Sequence, residues 1–140
     1  MSNPDVPTPG AAGSSGTRVL VVISDDVVRA RAVSALGLRS DLALTVVTSI
    51  HEAAPLVADT DVLVVDGDLQ PKGGYSWLYE LREQAALHGT TRPLSVVLTE
   101  RVQDAFLVDW SSAEAAVTKP VDPFELARTV AELAGTTATA

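Results

Sequence analysis

Two unbroken apolar runs, Val19–Ile23 and Val62–Val65, with the largely apolar stretches Leu42–Val47 and Leu94–Leu98, constrain this chain more than any other feature. A strand with one wet face alternates polar and apolar residues; a solid run of Val, Leu and Ile belongs to a strand covered on both faces. Segments with helical spacing lie between the runs. Val27–Leu36 carries Ala32, Val33 and Leu36 on one side, and Ile50–Val57 reads as a short helix. From Gly74 to about Leu87, Leu78, Leu81 and Ala85 recur at i, i+3 and i+7. Val102–Trp110 gives a weaker helix and Ala115–Thr118 a short fifth strand. The last helix starts at Asp122 or Pro123, with Phe124, Ala127, Val130 and Leu133 at helical spacing and Asp122 as its N-cap. Five βα repeats imply right-handed crossovers and an α/β fold, a doubly wound parallel sheet with helices on both faces.

Composition narrows the setting. An apolar fraction of 46% in 140 residues allows one packed core, and with no cysteine there is no disulfide or thiolate metal site. Residues 1–16 are rich in Ser, Pro, Gly, Ala and Thr, with Asp5 their only charge, and are expected to form a disordered tail. The folded unit is expected over 17–135, with 136–140 a frayed end. A net charge of −8 with scattered Lys and Arg argues against direct nucleic-acid binding. No apolar stretch is long enough for a membrane span, and nothing resembles a signal peptide, so a soluble, cytoplasmic protein is expected.

In doubly wound sheets the chemistry lies outside the carboxyl ends of the strands. The first strand ends in Ser24, Asp25 and Asp26, the third in Asp66, Gly67 and Asp68. The fourth ends in Thr99 and the fifth in Lys119 and Pro120. Crowded carboxylates repel unless a cation joins them, and Mg²⁺ suits oxygen ligands and phosphoryl groups. A carboxylate can act as nucleophile and form an aspartyl phosphate, with an ammonium and a hydroxyl meeting the phosphoryl oxygens. Taken singly, an Asp at a strand end is more often a cap or turn residue; the joint pattern is what points to phosphoryl transfer.

Three stretches carry a family resemblance: DVLVVDGDLQPKGGYSWLYELR (61–82), SVVLTE (95–100) and AAVTKPVDPFELARTV (115–130). In order and spacing the chain resembles the receiver domain of two-component response regulators, from about Arg18 to Ala134. The resemblance implies the flavodoxin-like (βα)5 arrangement with strand order 2-1-3-4-5. It makes Asp66 the phosphoacceptor, Thr99 and Lys119 the groups that follow the phosphoryl, and Lys119–Pro120 a cis bond. It assigns Mg²⁺ to Asp66, the backbone carbonyl of Asp68 and an acid pair that is either Asp25 and Asp26 or Ser24 and Asp25. It implies a stand-alone signalling domain rather than an enzyme, charged by a histidine kinase or phosphotransfer protein and acting on an unidentified output protein, with a homodimer left open.

Two positions depart from the family. Ala116 stands where an aromatic switch residue is usual, and Glu100, which adds charge and bulk near the entrance, where the residue after Thr99 is usually small. They favour the alternative of a degenerate receiver that binds partners without phosphorylation. A haloacid-dehalogenase-like phosphatase, suggested by Asp66 and Asp68, is the less favoured alternative, since it needs its acid pair last in the chain, where here it comes first, and extra space for a cap. A flavin or nucleotide site needs amide-rich Gly, Ser or Thr in the first loop, and this loop is acidic. His51 and His88 are expected at the surface, and Trp77 and Trp110 as packing residues, Trp110 becoming a candidate partner contact if exposed.

Overall fold

The computed structural model of the chain describes residues 16–69, 73–101 and 104–139. Apart from Gly16, the expected tail lies outside the described residues, as do Val102 and Gln103 of the fourth expected helix. The elements are β1 (Thr17–Val22), α1 (Asp26–Leu36), β2 (Leu42–Val47), α2 (Ile50–Ala53), β3 (Val62–Asp66), α3 (Gly74–His88), β4 (Leu94–Thr99), α4 (Ala105–Ser111), β5 (Ala115–Thr118) and α5 (Pro123–Thr139). The strands form one sheet in the order β2-β1-β3-β4-β5, and every neighbouring pair is parallel.

The two-residue period of a strand, with both faces covered, explains why the apolar runs of β1 and β3 are unbroken. Val19, Val21, Val62, Val64, Val96 and Leu98 pack with Ala32, Leu36, Leu126 and Val130, so α1 and α5 cover one face. Leu20, Val22, Leu63, Val65 and Val97 pack with Ala53, Tyr75, Trp77 and Leu78, with Leu107 and Val108 alongside, so α2, α3 and α4 cover the other. Both faces are apolar, and the polar work is left to the strand ends.

Helix existence follows the sequence spacing; helix facing differs in places. Ala35 is buried in α1 and Val33 only half-buried. Leu81 and Ala85 are half-buried in α3, while Tyr75 and Trp77 are buried at its start. In α5 the buried stripe is Leu126, Val130 and Ala134, and Phe124 stands 83% exposed. The i, i+4, i+8 row, rather than the i+3 steps that include Phe124, is the one that meets the sheet. Asp122 does cap this helix, its Oδ1 accepting from the Phe124 and Glu125 amides at 2.8 and 3.3 Å. The helix continues past Gly135 to Thr139. After Ala53 the expected second helix tightens into a 3-10 segment, Ala54–Asp59, which contains Pro55.

One glycine fixes the approach of α3 to the sheet. A Cβ on Gly74 would collide with the Asp66 carbonyl oxygen and lie 2.7 Å from Val65 Cγ1. Gly135, exposed in α5, would meet nothing within 4 Å. Gly74→Ala is expected to lower stability by about 1–3 kcal/mol through overpacking. Gly135→Ala should raise it by roughly 1 kcal/mol through helix propensity. Urea unfolding of the two variants beside the parent checks both signs.

Candidate functional site

Asp66 closes β3, and the chain leaves the sheet there through Gly67. Its carboxylate is only 2% exposed. Among the described residues, two bonds reach it and both land on Oδ1: the Lys119 ammonium at 2.7 Å and the Asp68 amide at 2.9 Å. Lys119 follows β5, whose end is fixed by the Lys119 amide donating to the Thr99 carbonyl at 2.8 Å. The Lys119–Pro120 bond is cis. Lys119 also reaches Asp68 Oδ2 at 3.3 Å and Glu100 Oε1 at 3.7 Å, so three carboxylates share one ammonium.

These residues line an open cavity of about 490 Å³ with Ser24 and Asp25. Asp25 also anchors the first helix, where its Oδ1 caps α1 by accepting from the Val27 and Val28 amides at 2.9 and 3.0 Å. Those amide bonds, Val28 first, hold its carboxyl below the usual aspartate range despite some desolvation. Asp26 is a correction to the wider acid pair. It lies in the first turn of α1, 88% exposed, paired with Arg29, and it is not among the cavity residues. A helix begun at Asp26 turns that side chain away from the cavity, which Ser24 and Asp25 line together with Asp66.

Thr99 is 3% exposed and donates to Thr118 Oγ1 at 3.3 Å. It lines the neighbouring cleft of about 180 Å³ with Arg101, Ala105, Val108, Asp109, Ala116 and Thr118 rather than the Asp66 cavity. Ala116 is exposed, with no aromatic ring over this cleft. His51 and His88 lie on the surface, Trp77 is buried, and Trp110, 45% exposed, stacks on Tyr79 with ring centroids 4.5 Å apart.

No group of three or more His, Cys, Asp or Glu side chains among the described residues is set to hold a metal. Mg²⁺ does not require one, since one or two carboxylates with waters and phosphoryl oxygens suffice. Asp25 and Asp66, hard oxygen donors on one cavity, fit that demand. Sequence reasoning missed two features. Glu100 does more than add charge and bulk at the entrance, because it is a third carboxylate on Lys119. Tyr75, beneath Gly67, gives no sequence signal beyond an aromatic at the start of a helix.

No family model matches the chain. A protein named "uncharacterized response regulatory protein" in two Mycobacterium tuberculosis strains is 36% identical over 127 residues, covering 86% of this chain and 92% of the relative. The chain belongs to the response regulators. Solved structures agree on the receiver fold. The receiver domain of a Francisella response regulator superposes with TM-score 0.74 at 23% identity, covering 87% of this chain and 99% of that one. The receiver domain of Saccharomyces cerevisiae Ssk1, solved with the histidine phosphotransfer protein Ypd1, gives 0.78 at 18% identity, covering 89% and 92%. Receiver domains are signalling proteins rather than enzymes with a separate substrate, and this receiver has no helix among its described residues long and apolar enough to cross a membrane.

Two protons at the site are held tightly. Burial works against the charge of Lys119, but the bond and charge of Asp66, then those of Asp68, outweigh it and raise its pKa. Burial, with the charge of Asp104 next, pushes the Tyr75 hydroxyl up from 10.0 to about 12. Both groups bind the proton more strongly folded than unfolded. The Tyr75 contribution to stability is complete below pH 10 and lost as pH rises through about 12, and that of Lys119 is likewise lost as pH rises through its raised pKa. The urea midpoint is expected to hold up to about pH 10 and fall toward pH 12, less steeply in Tyr75→Phe.

Proposed function

We propose that this receiver takes a phosphoryl group onto Asp66 from a histidine kinase or a phosphotransfer protein, and then changes its affinity for a protein partner in the cytoplasm. The observation that carries this reading is a buried carboxylate on an open acidic cavity with an ammonium 2.7 Å away. Lys119 and the Asp68 amide hold Oδ1, which orients the carboxylate and leaves Oδ2 to attack. In the transfer an Oδ2–P bond forms as the P–N bond of the donor phosphohistidine breaks, and the ring, protonated on its other nitrogen, takes that electron pair and leaves as neutral imidazole. The Lys119 ammonium then meets charge on the transferred group.

Asp25 and Asp66, with the Asp68 carbonyl, are the groups that would hold Mg²⁺. Bound there, the ion supplies positive charge against the phosphoryl oxygens. The family's acidic pocket generally takes this metal, and the donor set here is suited to it. Asp25 would do so without losing its hold on α1, because capping uses one carboxylate oxygen.

A second reading has its own observation. Glu100 and Asp68 both engage Lys119, and the Thr99 hydroxyl is turned to Thr118. A receiver fixed in that arrangement would bind partners without phosphorylation. Incubation with Mg²⁺ and acetyl phosphate, followed by intact-mass measurement, separates the two. One phosphoryl adduct is expected, absent in Asp66→Asn and on removal of Mg²⁺ by EDTA. A chain that takes no adduct from any donor is the phosphorylation-independent module. Asp25→Asn should keep the helix, since Asn caps as well as Asp, while needing more Mg²⁺ for the same labelling. Circular dichroism and a Mg²⁺ titration read those two effects independently.

A further inference from the structure

The hydroxyl of Tyr75 is buried and makes no hydrogen bond among the described residues. The residue is 9% exposed at the start of α3. Its side chain occupies the space that a Cβ on Gly67 would need, with two ring carbons 2.6 Å and the hydroxyl oxygen 2.8 Å from that position. Glycine at 67 is what admits the ring beneath the acceptor loop. A buried donor without an acceptor has given up water for nothing, and native structures contain few of them. A leucine or phenylalanine would fill this space without that cost.

Leu107 and Val108 of α4 pack against the cluster that holds Tyr75, and the N-cap of that helix is Asp104, whose side chain caps no amide of α4. Asp104, just before α4, is 7% exposed. Its bonds go to Arg101, 3.2 Å from the amide and 3.4 Å from a guanidinium whose side chain is 64% exposed. Among the charges acting on the Tyr75 hydroxyl, Asp104 is the strongest, ahead of Asp68, Lys119 and Asp66. The same residues therefore allow two arrangements. In the observed one Tyr75 is unpaired and Asp104 is held from the solvent side. In the other Tyr75 donates to Asp104 and Arg101 is released.

We propose that Tyr75 is a positioning residue that couples Asp66 to α4, its hydroxyl donating to the Asp104 carboxylate when Asp66 is phosphorylated. The inference rests on the proposed phosphorylation. A phosphoryl group brings about −1.5 to −2 charges to the end of β3. That charge draws Lys119 away from Glu100 and attracts the neighbouring Arg101, which weakens the hold of Arg101 on Asp104. The buried carboxylate then needs a donor, and the Tyr75 hydroxyl, packed beside α4, needs an acceptor. Ala116, exposed and without a ring, has no side chain to carry the same signal.

The test uses the full chain with Mg²⁺ and acetyl phosphate, reading the adduct by intact mass and amide hydrogen exchange over residues 100–111. The parent, Tyr75→Phe, Asp104→Ala and Asp104→Asn are all expected to form the adduct. Phosphorylation should change exchange over 100–111 in the parent. Tyr75→Phe and Asp104→Ala should each lose that change, with no further loss when combined. Asp104→Asn, which keeps an acceptor oxygen, should retain it. A fully phosphorylated Tyr75→Phe protein with the parent's exchange change overturns this inference and leaves the phosphorylation reading standing. A parent that takes no adduct overturns both.

Discussion

The bond between Lys119 Nζ and Asp66 Oδ1 ties the end of β5 to the end of β3 across β4. It is a buried pair, with side chains 13% and 2% exposed, so neither charge has much water to fall back on. Removing one partner of such a pair costs about 3–5 kcal/mol when the other is stranded. Here the two directions differ. Without Asp66, Lys119 still has Asp68 and Glu100; without Lys119, Asp66 keeps the Asp68 amide as its one remaining bond among the described residues. The acidic side of the cavity depends on the ammonium more than the ammonium depends on any one acid.

That asymmetry gives the departures from the family pattern a physical meaning. Glu100 adds a third carboxylate to the cation on which the proposed phosphoryl transfer would draw. The competition is modest, because at 3.7 Å and 60% exposure Glu100 is well screened by solvent. Thr99 and Ala116 matter in another way. The Thr99 hydroxyl is engaged with Thr118, and Ala116 leaves a cleft beside it with no ring to fill or empty it. The proposed signal from Asp66 toward α4 would have the Tyr75 side of the sheet, where Leu107 and Val108 pack, as its route.

Three residues serve two purposes at once, which ties fold to site. Asp25 caps α1 and lines the cavity. Gly67 turns the chain after the acceptor and makes room for Tyr75. Gly74 lets α3 approach the Asp66 backbone, so the helix that buries Trp77 and Leu78 also braces the acceptor. A substitution at any of them reads out in stability and in chemistry together.

The sheet, its covered faces and the residues at the strand ends were legible in the sequence because strand burial on both faces leaves an unbroken apolar run, and parallel topology brings the carboxyl ends to one edge. Asp25, Asp66, Asp68 and Lys119 followed from that geometry. What depended on side-chain direction did not. Asp25 and Asp26 are chemically identical neighbours, and only the point at which α1 begins turns one toward Asp66 and the other to Arg29 in solvent. Phe124 and Leu126 are both apolar near the start of α5, and the packing angle of the helix decided which was buried. Tyr75 carries no distinguishing signal in the sequence; its unpaired hydroxyl exists because tertiary packing placed the ring under a glycine, a contact between residues whose partnership no local pattern encodes.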